Sequence, residues 1–288
     1  MYNLIINTKE NLKPQGIIIT GSSGYLGRNL IKQLDKDSIM FLNRNSFNSK
    51  NPIYFDIKNQ EFPNIKKKFD KFVLIHLATF YSSDNKHYEK IKQANIEFSR
   101  KVLDITSQLN LTKVIYTNTM FNYFSDYETQ NLYYTKSKNE FSRYLWEESK
   151  LKNFMVDEIY LENTFGGDDN RGKIIESIKH SVSNNEKSPV IFKNKYVNLI
   201  YFEDVLQRFK KSLNSDVSGK SSFVYDKSVN LESIYRFLLN YQKTKEIDKE
   251  ILKFKNNCYV NPYPKISRYN IDLSKIDDEL INYLDSKS

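Results

Sequence analysis

At 288 residues, 39% hydrophobic and 27% charged, the chain has ample material for a buried core of one large or two small domains. No apolar run approaches the ~18 residues that a membrane span needs, and the opening Met1-Tyr-Asn-Leu-Ile-Ile-Asn lacks the basic start and long apolar run of a secretory signal. One cysteine, Cys258, excludes an intramolecular disulfide, and three histidines (His76, His87, His180) are too few for a zinc cluster, so a cytoplasmic protein without a structural metal is expected. The net charge of +9 raises the question of nucleic acid, but the lysines are scattered and Lys66-Lys67-Lys68 is the only run of three. That pattern reads as solvated surface, so neither a nucleic-acid nor a membrane partner is expected.

Residues 1–15 form a short extension ending near Pro14, and from Gly16 apolar strand-like runs alternate with amphipathic stretches. Ile17–Thr20 predicts the first strand. It feeds Gly21-Ser-Ser-Gly24-Tyr25-Leu26-Gly27, after which Leu26, Leu30, Ile31 and Leu34 recur at helical spacing. Of only eight glycines, four lie between Gly16 and Gly27. A strand, a glycine turn and a helix start together make an anion site from free backbone N–H groups, and the context points to a dinucleotide. Gly21, Gly24, Tyr25, Leu26 and Gly27 are the candidate contacts.

Further strands are expected at Ser38–Leu42, Ile53–Phe55, Phe72–Leu77, Lys113–Thr117 and Met155–Leu161. Ile91, Ala94, Phe98, Val102, Ile105 and Leu109 mark one face of a long helix, and Tyr134–Glu148 reads as another. Beyond about 165 the pattern loosens, with helical stretches near 172–183, 203–213 and 230–242. The expected fold is α/β: a doubly wound parallel sheet of Rossmann type with a smaller, partly interleaved α/β substrate-binding domain. The expected division is 1–165 for cofactor (16–165 plus the extension 1–15) and 166–288 mainly for substrate, with segments returning to the first domain.

Tyr134 and Lys138 are four apart in Tyr134-Thr-Lys-Ser-Lys138, so on a helix they share a face and reach one ligand. A free tyrosine, with pKa near 10, is a poor acid–base at neutral pH, and a neighbouring ammonium favours the phenolate. Tyr133 has uncharged Ser137 as its partner four residues on, which favours Tyr134. In a chain of 21 tyrosines this spacing carries little alone; its place after a fifth strand, just over a hundred residues beyond the glycine turn, gives it weight.

With these residues the sequence resembles the extended short-chain dehydrogenase/reductase family of nucleotide-sugar epimerases, dehydratases and ketoreductases. The resemblance spans 16–275. Phe55-Asp56-Ile57 resembles the strand end whose acid and its neighbour hold adenine, and Ile75-His76-Leu77-Ala78 the segment beside the cofactor, which adds Leu77, Ala78 and Thr79 as contacts. Asn95 falls where the family keeps a helix asparagine. Asn163-Thr-Phe-Gly166-Gly167 resembles the motif whose asparagine faces the sugar nucleotide, and Leu199–Val205 a substrate-half stretch. Within it, Glu203 and Asp204 are read as a helix cap and His76 as packed or bonded to backbone, none of them catalytic.

The resemblance implies a Ser or Thr that hydrogen-bonds the reacting oxygen. Thr119 is favoured for it, with Thr117 as alternate and as a cofactor contact. Met120 follows where dehydratases of the family carry Asp-Glu. The short interval from Thr119 to Tyr134 resembles the abequose and paratose synthase branch, reductases of nucleotide-linked 4-keto-6-deoxysugars. Val197 stands where many relatives carry a diphosphate-binding arginine, leaving Arg171 and Lys195 as candidates. Substrate contacts are thus expected from Thr119, Met120, Asn163, Arg171 and Lys195. After the second strand stands Asn43-Arg44 rather than an acid, which favours NADP(H), with NAD(H) the alternative. The implied activity is NADPH-dependent reduction of a nucleotide-diphosphate-linked 4-keto-6-deoxysugar. An epimerase with tightly bound NAD is the alternative, and a non-catalytic nucleotide-binding protein the lesser one. A homodimer through the helices near 85–110 and 134–150 is also implied.

Overall fold

A computed structural model of the chain describes residues 15–34, 39–43, 54–56, 69–123, 132–167, 169, 171–184, 186, 194–216 and 218–256, with side chains of 39–43 and 54–56 left aside. The extension before Gln15, Arg44, Ile57, the lysine run at 66–68 and Cys258 lie outside the described residues.

Seven strands form one parallel sheet: β1 (Gln15–Thr20), β2 (Ile39–Asn43), β3 (Tyr54–Asp56), β4 (Lys71–His76), β5 (Leu111–Thr119), β6 (Met155–Leu161) and, from far along the chain, β10 (Gly219–Phe223). Their order is β10-β6-β5-β4-β1-β2-β3, a doubly wound arrangement whose chain direction reverses between β1 and β4. That reversal opens a crevice at the carboxyl ends of the strands, where ligands of such sheets bind. Two small sheets complete the strands: β7 (Asn163–Phe165) with β9 (Leu199–Tyr201), and β11 (Lys227–Asn230) between β8 (Tyr196–Val197) and β12 (Phe254–Asn256). Met155–Leu161 appears as read from the sequence; the other expected strands shift by one residue or start up to two earlier, and Lys113–Thr117 lengthens by two residues at each end.

Both faces of the sheet are covered, which is why β1 and β4 read as near-continuous apolar runs rather than alternating apolar with polar. Ile18, Phe72, Leu74, Val114, Tyr116 and Val156 face α3 (Phe98–Thr106) and α4 (Tyr133–Lys152), packing on Val102, Leu103, Phe141 and Leu145. Ile19, Val73, Ile75, Ile115 and Ile159 face the other way, in one cluster with Tyr25 and Leu30 of α1 (Tyr25–Ile31) and Val205, Leu206 and Phe209 of α6 (Phe202–Leu213). α5 (Ile174–Ser183) and α7 (Leu231–Thr244) carry the three-residue and four-residue apolar spacing of the second half into that same cluster.

The single long helix expected through 91–109 is interrupted. α2 (Tyr88–Lys92) passes into a π turn, Gln93–Glu97, before α3 begins. The cause is Asn95, whose side chain is drawn inward to accept from the Phe80 amide (2.7 Å) and Thr79 Oγ1 (3.1 Å). It also donates to Phe80 O (3.1 Å) and Ser137 Oγ (2.9 Å). A widened turn lets a side chain reach out of the helical ladder, and such turns gather at functional sites. α4 runs unbroken, burying Lys138, Phe141, Ser142, Leu145 and Ser149 along one stripe, and ends at Asn153 in the left-handed conformation (φ 55°).

Candidate active site at the carboxyl edge of the sheet

The glycine turn is built by close approach. Gly21 sits at φ +69°, and a side chain there would begin 2.6 Å from the Ala78 amide nitrogen. The turn is closed by Gly24 N donating to Gly21 O at 2.9 Å, and a side chain on Gly27 would collide with the Gly21 carbonyl. Gly24, as the residue preceding α1, offers no side chain to its first amides. Thr20 accepts from Leu77 N (3.3 Å) at its carbonyl and from Ala78 N (3.2 Å) at its hydroxyl, which lays the Leu77–Ala78 strand exit against the turn. Tyr25 is buried and donates to Gly166 O at 2.7 Å, joining the two glycine clusters of the sequence. Leu26 packs partly buried against the core. The crowded turn, leading into a helix N-terminus, fits the pyrophosphate of a dinucleotide. β2 ends at Asn43, opposite Asp56 at the end of β3, so Arg44 follows directly upon the strand end.

Of the adjacent tyrosines on α4, Tyr133 is 39% exposed and rests against Tyr88, whereas Tyr134 turns inward between Tyr81 (ring centroids 4.9 Å apart) and Phe121 (6.3 Å). Burial pushes the Tyr134 phenol up to about 12; Tyr81 adds to the rise, while a hydrogen bond with the Thr79 side chain and the charge of Arg171 oppose it. The expected pull of Lys138 toward phenolate is not among these influences. The Lys138 ammonium instead stands 4.3 Å from the centre of the Tyr116 ring. Lys138 is 3% exposed and burial lowers it to about 7, with Glu158 pulling in the opposite direction.

Thr119 ends β5. Its amide donates to Asn118 Oδ1 (2.8 Å) and its hydroxyl accepts from Phe121 N (3.2 Å), so the strand exit is fixed to the aromatic wall beside Tyr134. Thr117 is half-buried two residues earlier on the same strand face. Met120, expected among the substrate contacts, is 0% exposed and packs its side chain with Tyr160 and Val224. His76 is fully buried, lowered to about 3 by burial and then by the charge of Lys138. Its ring nitrogens bond the hydroxyls of Thr20 and Ser99, both at 2.8 Å, rather than the backbone. Glu203 and Asp204 fall in the first turn of α6 rather than capping it; Tyr201 precedes that helix, and Asp204 accepts from the Tyr225 hydroxyl.

On the far side of the crevice Asn163 is half-buried in β7. Arg171 reaches over the Tyr25 ring (3.9 Å), held by Asp169 at 2.6 Å from Nε and by Thr164 O at 2.7 Å. Lys173, not singled out from sequence, lies 3.5 Å from the centre of the Tyr81 ring and is lowered to about 8 by burial and then by Arg171. Its signal was there: it directly follows the Gly166–Gly172 loop, two residues after Arg171. Lys195 stands apart; its carbonyl accepts from Leu231 N (2.9 Å) at the start of α7 and its side chain is exposed. Val197 is buried in the core, so that position offers no cation. Among the described residues no helix is long and apolar enough to cross a membrane.

Comparison with known proteins agrees with this geometry. Among curated proteins the chain is 23% identical over 260 residues to the CDP-abequose synthase of Salmonella muenchen, covering 82% of this chain and 87% of that one. Among solved structures it is similar to the UDP-glucuronic acid 4-epimerase from Bacillus cereus in complex with UDP-glucuronic acid and NAD (TM-score 0.71, 14% identity, 96% of this chain and 100% of that chain). It is also similar to the UDP-N-acetylglucosamine 4-epimerase from Methanobrevibacter ruminantium (TM-score 0.69, 18% identity, 96% and 100%). Residues 17–226 match the NAD dependent epimerase/dehydratase family. Most of the chain, including its glycine turn and its inward Tyr134 and Lys138, lies within that match, and the protein belongs to the NAD dependent epimerase/dehydratase family.

Proposed function

We propose that the protein reduces the 4-keto group of a nucleotide-diphosphate-linked 6-deoxysugar, with NADPH as reductant. The observation that carries the reading is the inward Tyr134, set between Tyr81 and Phe121 one helical turn before the buried Lys138. It stands beside the Thr119 strand end, where a phenolic proton can be given to a newly formed alkoxide. The likeness to a CDP-abequose synthase supports the same direction.

Bound NADPH supplies the hydride that reaches the carbonyl carbon. Tyr134 then gives its phenolic proton to the carbonyl oxygen, so that one hydride and one proton convert ketone to alcohol. Thr119 hydrogen-bonds that oxygen as charge develops on it. Lys138 holds the nicotinamide ribose and supplies a positive charge beneath the site. Arg171 and Lys173 meet the substrate diphosphate in place of the arginine absent at Val197, and Asn163 faces the sugar nucleotide. Asn43 and Arg44 receive the adenosine 2′-phosphate, which an acid at the end of β2 would repel. The protein acts as a homodimer through α2, α3 and α4.

The test offers a panel of nucleotide-linked 4-keto-6-deoxysugars with NADPH and follows loss of reduced-cofactor absorbance. One substrate should consume NADPH and yield the 4-hydroxy sugar by NMR. Turnover of a nucleotide sugar without net cofactor consumption, giving an isomer with one ring carbon inverted and no loss of water, would instead establish the epimerase.

A further inference from the structure

A row of four residues crosses the carboxyl end of the sheet in register: Thr20 opposite His76, His76 opposite Tyr116, and Tyr116 opposite Glu158. All four meet the underside of α4 or the residues that support it. Thr20, His76 and Tyr116 fit the site already described. Glu158 does not: it is a 0% exposed carboxylate in the middle of β6, with no part in the chemistry above.

Its surroundings are specific. Oε1 accepts from Asn118 Nδ2 at 2.6 Å, and Oε2 accepts from Trp146 Nε1 at 2.6 Å and Ser142 Oγ at 2.9 Å. Lys220 Nζ stands 3.8 Å from Oε2. The Trp146 and Asn118 nitrogens can only donate, so the shell is made for an acceptor-only, ionised carboxylate. Ser142 and Trp146 lie four and eight residues after Lys138 on one stripe of α4. Asn118, which donates to Glu158, also accepts from the Thr119 amide. Glu158 is therefore bonded to the helix that carries Lys138 and, through one asparagine, to the strand end that carries Thr119.

Burying a carboxylate costs several kcal/mol unless a cation and hydrogen bonds offset it. The groups set around Lys138 are His76 from β4, Tyr116 from β5 and, through its charge, Glu158 from β6, with Lys220 of β10 beyond Glu158. Glu158 is the one anion among them. We propose that Glu158 is a positioning residue of the reaction: it keeps Lys138 as an ammonium beneath the cofactor and, through Asn118, fixes the reach of Thr119. This deepens the reductase reading and rests on it for the role of Lys138.

The test follows NADPH affinity against pH by fluorescence titration, alongside thermal melting. In the unchanged protein, affinity should fall as pH rises through the Lys138 titration, and Lys138→Met should leave affinity weak and flat. Glu158→Gln keeps the shape and removes the charge; its midpoint should move acid by about 1 pH unit or more, the usual effect of deleting a nearby opposite charge. A midpoint unmoved from the unchanged protein overturns the proposal. Melting supplies a second reading. Glu158→Gln and Lys138→Met together should lose less stability than the sum of the single losses, because each removes the need for the other. Should Glu158→Gln not fold alone, the double variant should regain folding. Additive losses, or no recovery, overturn the proposal. A pH limb that survives Lys138→Met instead strikes the role given to Lys138, and the melting cycle still decides whether Glu158 serves that side chain.

Discussion

Tyr134 and Tyr133 differ by 100° of helix rotation, and that rotation decides which of them does chemistry. Tyr134→Phe keeps the ring between Tyr81 and Phe121 and deletes the proton. Turnover should fall by about 10²–10⁴-fold or more with NADPH affinity nearly unchanged, while Tyr133→Phe, altering an exposed ring on Tyr88, should stay active. Steady-state kinetics beside cofactor titration checks both. His76 governs a different property. Its folded pKa of about 3 lies below the ordinary 6.5, so between those values the unfolded chain binds a proton that the folded one refuses, and acidification favours unfolding. This stability is fully present above 6.5 and is lost as pH falls toward 3. Urea unfolding at pH 6.5 and pH 5 should differ by about 2 kcal/mol on this account, and His76→Gln should flatten that difference.

At the scale of elements, the interrupted helix around Asn95 is the instructive case. Asn95→Leu strands the partners at Thr79, Phe80 and Ser137 in a buried setting, where each lost bond costs about 1–3 kcal/mol. Denaturant unfolding should report a loss above about 2 kcal/mol, and turnover should fall because Thr79 no longer holds the Tyr134 hydroxyl. The apolar runs and the glycine turn made the sheet legible, since a strand covered on both faces reads as a near-continuous apolar run. The π turn was not legible, because its apolar positions still keep helical spacing while one asparagine is drawn out of the ladder. Glu158 was hidden for a related reason: a charged residue inside a strand shows no partner in sequence, and its three donors come from β5 and two turns of α4. Lys173 was legible and passed over, and the inward turn of the Met120 side chain was not legible, because adjacency to Thr119 says nothing about which way a side chain turns.

For the whole molecule, the doubly wound sheet sets the crevice and the second half closes over it, with β10 returning to pair with β6. α4 exposes Tyr133 and Leu151 and is joined to α3 through Arg100–Glu140 and Tyr144–Asp104, and this two-helix surface is the one through which the proposed homodimer would form. Light scattering at micromolar concentration should give a dimer; a clean monomer removes that assembly. The reductase itself is tested most directly by following the hydride. With NADPH deuterated at the transferred position and the responsive 4-keto sugar, each product molecule should carry one deuterium at C4 for each NADPH oxidised. A product without deuterium at C4, formed while the NADPH concentration holds constant, would contradict it.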